Sequence, residues 1–410
     1  MTALPSTSRS STLSALKSPN FRLYFIGQLV SVSGTWMQNV AEGYLVFKLT
    51  QSELWLGLVA CAAGLPLILL APVAGTIVDR VPRRKLMMFT QSAQMILAFI
   101  SAYLTFTNRI QVAHIVVLAF CLGITNALDA PARQTFVVEM VGREDLHSGI
   151  ALNSILNSAS RVLGPTAAGI ALIQFGPAWC FLINGLSFLA VLISLFFMGV
   201  PYAIKYVAGT PPVQLMREGF QFARQHEVVA PLLLLTAAVG LFSIPIIRLF
   251  PAYAELVLHS PTDGYALVSA AQGVGSIIGG ALVAWVSHQL GRGRVIFVSI
   301  ILGAVSTFLF AFQSNLALSA FTCTLTGVFM ILEVVDINTL LQSVVPDNYR
   351  GRVLSLYTLT FLGLAPFSAV ALGALATWLG TSEAIGIYGI LGGVMGVAVV
   401  LRWRTVIRQP

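Results

Sequence analysis

Charge is what this chain has least of: Asp, Glu, Lys and Arg together supply 9% of its 410 residues. Soluble domains use about 25%, so an ordinary soluble globular domain is excluded. Cysteine is also sparse, with 4 residues (Cys61, Cys121, Cys180 and Cys323). Each lies in a different apolar run without CxxC spacing, which excludes a disulfide framework or a zinc ribbon. The 5 histidines (His114, His147, His226, His259 and His288) are scattered, so no metal cluster and no cofactor is expected. No nucleophile set or acid pair gathers at one place, which argues against an enzyme, including one acting on membrane lipid. There is no GxxxxGK(S/T) loop, hence no expected ATP site. The GxG of Gly273 and Gly275 lies inside an apolar run, not after a strand, which removes a dinucleotide fingerprint. The net charge of +8 is not clustered on one module with interleaved aromatics, so nucleic acid is not an expected partner.

What the chain does have is apolar length. Hydrophobic residues make up 57%, grouped in runs at roughly 21–47, 54–78, 85–107, 111–131, 148–174, 178–200, 229–250, 264–287, 294–313, 315–336, 352–378 and 383–403. A helix needs ~20 mostly apolar residues to span the hydrocarbon core, and backbone in lipid must satisfy its own hydrogen bonds. The expected fold is therefore an all-α membrane protein of twelve transmembrane helices, with membrane lipid as its surroundings. Residues 1–20, polar and rich in Ser and Thr, read as a disordered tail, and 405–410 as a second tail.

Charge sorts between the loops. With alternate gaps assigned to opposite sides, one side receives only Lys48, Arg109 and Arg248, and Arg161 stays inside a run. The other side receives the remaining Lys and Arg residues, and cytoplasmic loops are the basic ones. Both termini are thus expected in the cytoplasm, with the chain in the plasma (inner) membrane. Most outside connections are too short to hold a domain. The longest break, 201–227, falls after six runs and before six more, dividing the chain into halves at 21–200 and 228–404. Its part at Val213–Gln225 has helical amphipathic spacing and reads equally as a surface helix or a plain linker. Internal duplication is a usual transporter architecture, and two weak matches fit it. Residues 79–85 (DRVPRRK) align with 288–294 (HQLGRGR), and 129–152 with 333–356.

The most specific local pattern is Gly75, Asp79, Arg80, Pro82, Arg83, Arg84 and Lys85. A small residue four before the acid lets a neighbouring helix approach closely. The acid can cap an adjacent helix, and the arginines can pair with nearby acids. This spacing resembles the loop signature GxxxDRxGRR of the major facilitator superfamily, with Pro82 where that family has glycine. The stretches Asp129–Gln134, Arg143–Leu146 and Ala151–Ser154 resemble the bacterial exporter branch related to the enterobactin exporter and the macrolide efflux proteins. The resemblance implies a fold of two six-helix halves that work by alternating access. It also implies a cytoplasmic gate at Gly75, Asp79, Arg80, Arg83 and Arg84 with Asp129 as partner, and Glu333 or Asp336 as counterparts. Gly164, Pro165 and Gly169 partly resemble the GPxxGG motif of proton-coupled antiporters, a helix bend with close packing; Ala168 breaks the match. The implied function is proton-coupled efflux of a hydrophobic or amphipathic small molecule, of the drug or siderophore class. An importer or uniporter of the same fold is the alternative, and a receptor or scaffold a more remote one.

Ionisable groups within the membrane are costly enough to mark function. Gln28, Ser31, Thr35, Gln38 and Glu42 recur every three or four residues, one polar face of the first helix. Such a face looks onto a cavity or the bundle interior, making Thr35, Gln38 and Glu42 candidates for proton or substrate contact; Glu42 could also be solvated at the outer end. Arg161 shares a stripe with Asn153 and Asn157 and needs an acid, a carbonyl or an anionic substrate. Glu42 is one possible partner. Arg248 and Glu255 read as an outer-gate or interface pair, and Glu333 and Asp336 as charges at a cytoplasmic interface. Most tryptophans suit interface anchors; Trp36 is deep enough to line a cavity.

Overall fold

Helices are the answer lipid imposes on a single chain without barrel strands, and every regular element among the described residues is helical. The computed structural model describes residues 14–142, 145–199 and 212–407; the side chains of Pro72, Thr76, Asp79, His147, Asp347, Asn348 and residues 212–216 lie outside that description. The helices are α1 (Pro19–Thr50), α2 (Glu53–Arg80), α3 (Arg83–Phe106), α4 (Val112–Val141), α5 (Leu146–Gln174), α6 (Pro177–Phe197) and α7 (Pro212–Gln225). They continue with α8 (Val229–Ala238), α9 (Phe250–Leu256), α10 (Asp263–Leu290), α11 (Arg292–Ala311), α12 (Leu316–Val344), α13 (Asp347–Gly363), α14 (Ala365–Leu379) and α15 (Thr381–Arg402). Among the described residues, ten spans are long and apolar enough to cross a membrane, taking α8–α9 and α13–α14 as one span each. The two further runs in the sequence count of twelve are α1 and α5, with 32 and 29 residues. Those are the helices carrying the polar stripes, which dilute their hydropathy. Large apolar side chains stand exposed around the bundle, Trp378 by 80% and Phe197 by 71%, as a lipid-facing surface requires.

The basic turns and both described chain ends share one end of the bundle, the basic end. The expected tail is in part ordered there. Ser14–Lys17 forms a 3-10 turn whose Ser14 hydroxyl donates to Asp145 at 2.5 Å, while the Ser148 hydroxyl accepts from the Ala15 amide at 3.0 Å. Buried Val406 likewise backs onto Gly293 at the start of α11. The tight returns at the opposite, far end use local backbone chemistry. Gly176 and Gly380 take φ values of 85° and 107°, open to glycine at no steric cost. At the return into α12, the Asn315 carboxamide accepts from the amides of Ala317 (2.9 Å) and Leu318 (3.1 Å). Replacing Asn315 with alanine should cost about 1 kcal/mol, read as a lower melting temperature.

Helices α1–α6 pack on one another, as do α8–α15, and α2 with α14 and α5 with α10 are the main contacts between the two groups. Those contacts run from the far end to the middle of the helices, where Gly273 on α10 lies against the Arg161 backbone on α5. Gly57 on α2 lies against the Ala369 backbone, Gly64 against the Pro366 ring and Gly373 against the Glu53 backbone. Gly169 on α5 meets Ala266 on α10. Small residues let helix backbones approach where burial of apolar surface offers no gain over lipid. One hydrophobic cluster spans both groups at the far end, whereas the other clusters among the described residues each stay within one group, one in the first and two in the second. The basic-end glycines of the same helices, Gly75 on α2 and Gly280 on α10, have open space around them. The close packing expected at Gly75 is therefore absent: the two groups meet at the far end and part at the basic end.

The run between α8 and α9 is irregular. Val239–Ser243 forms a π turn and Ile244–Leu249 a 3-10 stretch. Pro245 has no amide hydrogen, so the carbonyl four residues earlier loses its helical partner. That carbonyl belongs to Leu241, and the Ser368 hydroxyl of α14 donates to it.

Candidate functional site

Between the two groups of helices lies a cavity of about 540 Å³. Its walls are mostly apolar, and its charged groups are Glu42 from α1, Arg161 from α5 and Arg248 from the 3-10 stretch. Asn39, Asn126 and Gln272 add neutral polar groups, and Trp36 and Tyr265 add aromatic faces. The Arg161 guanidinium lies 5.6 Å from the Trp36 ring centroid, within cation–π range. Among the described residues it makes no ion pair. The charge nearest Glu42 is Arg248, close enough to act on it electrostatically but without a direct ion pair. Arg161 thus stands apart from the acid that the sequence offered it. Cavities with apolar walls and a few convergent polar groups are the usual small-molecule sites.

Sequence reading placed one continuous polar face of α1 on a functional surface, and the structure divides it. Gln28 accepts from Arg133 at 3.4 Å, Gln38 accepts from Asn184 of α6 at 2.6 Å, and the Thr35 hydroxyl bonds its own helix at Ser31. These groups hold α1–α6 together, and only Glu42 of the set lines the cavity. Asn157 donates to the Asn153 carbonyl at 2.8 Å, and neither reaches the cavity wall. Gly164 backs directly onto α1 at Trp36, and Pro165 lines the cavity beside it. The sequence missed Asn39, Asn126 and Gln272, whose types carry no signal without a partner helix.

At the basic end, Arg83, Arg84 and Asp129 of the resemblance-derived gate bond within their own group. Arg83 pairs with Glu139 of α4. Arg84 donates to the Leu195 and Phe196 carbonyls, at 2.6 and 2.7 Å, closing the end of α6. Asp129, 1% exposed, accepts from Thr90 (2.8 Å) and Gln91 (3.0 Å) and pairs with Arg133 (3.1 Å). The Asp79 side chain lies outside the described residues. In the second group, Asp336 is fully buried and accepts from Ser287 at 2.7 Å and from Arg292 at 2.8 Å. It is a buried anchor between α10, α11 and α12, which corrects its reading as an interface charge. Ser287→Ala should lower stability by about 1.5 kcal/mol, the weight of one hydrogen bond to a charged group, seen in thermal unfolding. Glu333 is also buried, and Arg248 faces the cavity while Glu255 accepts from Gln51 at 3.2 Å, so neither sequence pairing stands.

A match to the transmembrane secretion effector family runs over residues 10–408. The chain is similar to the staphyloferrin A transporter of Staphylococcus aureus, 22% identical over 372 residues covering 90% of this chain and 92% of that one. It is 24% identical to the enterobactin exporter of Salmonella choleraesuis, covering 95% and 94% of the two chains. It is also 24% identical to macrolide efflux protein A of Streptococcus pyogenes, covering 87% and 88%. Among solved structures, the nucleoside transporter NupG superposes with a TM-score of 0.76 at 11% identity, over 96% of this chain and 100% of that one.

Proposed function

Because this chain belongs to the transmembrane secretion effector family of major facilitator transporters, we propose that it is a proton-driven exporter of an acidic amphipathic small molecule, in the siderophore class. The central cavity, sealed at the far end and parted at the basic end, carries the reading. The basic end is the cytoplasmic one, so the cavity faces the cytoplasm and loads there. Residues 21–200 and 228–404 form the two halves, which rock about the cavity. Gly75, Asp79, Arg80, Arg83 and Arg84, with Asp129 behind them, meet the other half when the basic end closes.

The cavity charges favour an acid over a cationic drug. Two guanidinium groups face one carboxylate, and among the described residues Arg161 has only an aromatic face for a partner. A buried arginine in that position gains from a carboxylate or catecholate in bidentate contact. Relatives divide between siderophore and macrolide substrates, and a macrolide amine would meet like charge here. Reconstitution into liposomes tests the reading, with staphyloferrin A, enterobactin and erythromycin as probes under an imposed pH gradient. The expected outcome is movement of a siderophore and not of erythromycin, abolished when the gradient is collapsed. Preferential transport of erythromycin would sink the acid preference.

Glu42 tunes this site. A proton on its carboxyl removes the one negative charge opposing an acid, so acid binding should tighten as pH falls. Glu42→Gln should bind acid tightly at every pH and lose that slope, measured by titration calorimetry.

A further inference from the structure

A second, smaller cavity of about 40 Å³ lies wholly within residues 228–404, enclosed by the π turn, α11, α12 and α15. Glu333 of α12 opens into it and is 8% exposed. Among the described residues its carboxylate makes no hydrogen bond and no ion pair, and no Lys, Arg or His lines the cavity. Ser243 and Thr307 also line this space, and among the described residues their hydroxyls make no hydrogen bond. Gly303, Gly389, Gly392 and Gly393 also line it. At about 10–15 Å³ per water, it holds roughly three waters. The titratable group facing Glu333 from α15 is Tyr388, whose hydroxyl bonds the Ser368 carbonyl at 3.2 Å. On α12 itself the nearest is Asp336, already taken by Arg292 of α11 and Ser287 of α10. The irregular segment presents none, since Arg248 faces the other cavity.

We propose that Glu333 is the proton carrier of the transport cycle, loaded and unloaded through this side cavity, which the substrate does not enter. An unpaired carboxylate inside a membrane must be compensated by a proton on its oxygen or a cation beside it. The reading of exchange above, on which this rests, also needs such a group. Protonated Glu42 and a bound acid favour one another, so Glu42 cannot make proton and acid alternate. A carrier outside the substrate cavity can do so through the wall the two cavities share. Met330 lines both, and the irregular segment turns Ser243 and Ile246 to the side cavity and Ile247 and Arg248 to the central one. A π turn followed by a 3-10 stretch, with one carbonyl held by a side chain rather than by its own helix, can repack at small cost. A change of charge at Glu333 thereby reaches Arg248.

Infrared difference spectra of the purified full-length protein in lipid nanodiscs, taken against pH, test the assignment. The readout is the C=O stretch of a protonated carboxyl. A band that titrates reversibly, persists in Glu42→Gln and disappears in Glu333→Gln supports the proposal. Glu333→Asp, which keeps the acid and shifts the band, guards against a folding artefact. A spectrum unchanged by Glu333→Gln, or no titrating band in the wild type, overturns it. A midpoint that moves with sodium at constant ionic strength also overturns it, in favour of a metal cation. Liposome transport separates the two readings. A titrating Glu333 in a wild type indifferent to the pH gradient sinks proton-driven export and the carrier role with it, leaving only a protonatable site. With a gradient response in the wild type, Glu333→Gln should lose gradient-driven accumulation and keep substrate exchange at equal pH.

Discussion

Replacing Glu53 with alanine should open the far end of the molecule. Glu53 starts α2, is 7% exposed, and its carboxylate is the acceptor for two hydroxyls across the gap: Thr381 at 2.9 Å and Thr377 at 3.4 Å. Both threonines belong to the other group of helices, and the contact exists only while the far end is sealed. The Gly373 backbone packs on the Glu53 backbone at the same spot, and Thr381 is buried, so its bond is shielded from water, while Thr377 stands at the exposed edge of the contact. Hydrogen bonds to a charged group contribute about 1.5–3 kcal/mol. Taking about 2 kcal/mol for the unequal pair, the far-end-closed population should fall roughly thirty-fold relative to the open one. Spin labels at Leu49 and Trp378, exposed far-end positions on opposite groups, read the separation by pulsed electron resonance. The wild type should give mainly the short distance and Glu53→Ala mainly a longer one. Glu255→Ala is the control: its bond to Gln51 is solvent-exposed and should shift the distribution less than about five-fold. Equal distributions in wild type and Glu53→Ala would remove Glu53 from the latch.

The fold was legible because lipid leaves few choices. Uninterrupted apolar runs, basic turns alternating with short returns, and the loop at Gly75–Lys85 each constrain the same bundle independently. The site was less legible, for identifiable reasons. Helical spacing assigns Gln28, Gln38 and Glu42 to one face of α1, but periodicity does not say which neighbour each meets. Two of the three are occupied by α4 and α6 side chains. Arg248 looked like an end-of-helix residue because Pro251 follows it. The irregular stretch begun by Pro245 turns it into the cavity instead. Glu333 and Asp336, three apart, looked alike in the sequence. One has an arginine and a serine in reach and the other a void, a difference set by α10, α11 and α15 rather than by their own helix. At Gly75 the close neighbour that the spacing implied is absent, because a spacing rule carries no information on where the partner helix lies.

Arg161→Gln should abolish discrimination for acids in the central cavity. The guanidinium faces Trp36, which makes that tryptophan a reporter of whatever occupies the space between them. Three probes share one ring and differ in charge: 1-naphthylacetate, its neutral amide and 1-naphthylmethylammonium. With the wild type, the acid should quench Trp36 fluorescence at the lowest concentration and the ammonium at the highest. Removing a buried charge-assisted partner costs about 1.5–3 kcal/mol, so the acid should bind roughly 10- to 150-fold more weakly to Arg161→Gln. The amide, which gains nothing from a full positive charge, should change little. Arg161→Lys keeps the charge but not the planar fork and should fall between the two. Trp36→Phe removes the signal and separates it from the other tryptophans. Arg248→Gln offers an independent check, because it sits on a different element and has the Glu42 charge beside it. Losing it leaves Glu42 less compensated, so the acid should weaken there as well, and the ammonium should gain. A wild type that binds all three probes alike, or prefers the ammonium, would mean that the guanidinium groups serve the bundle and not the cargo.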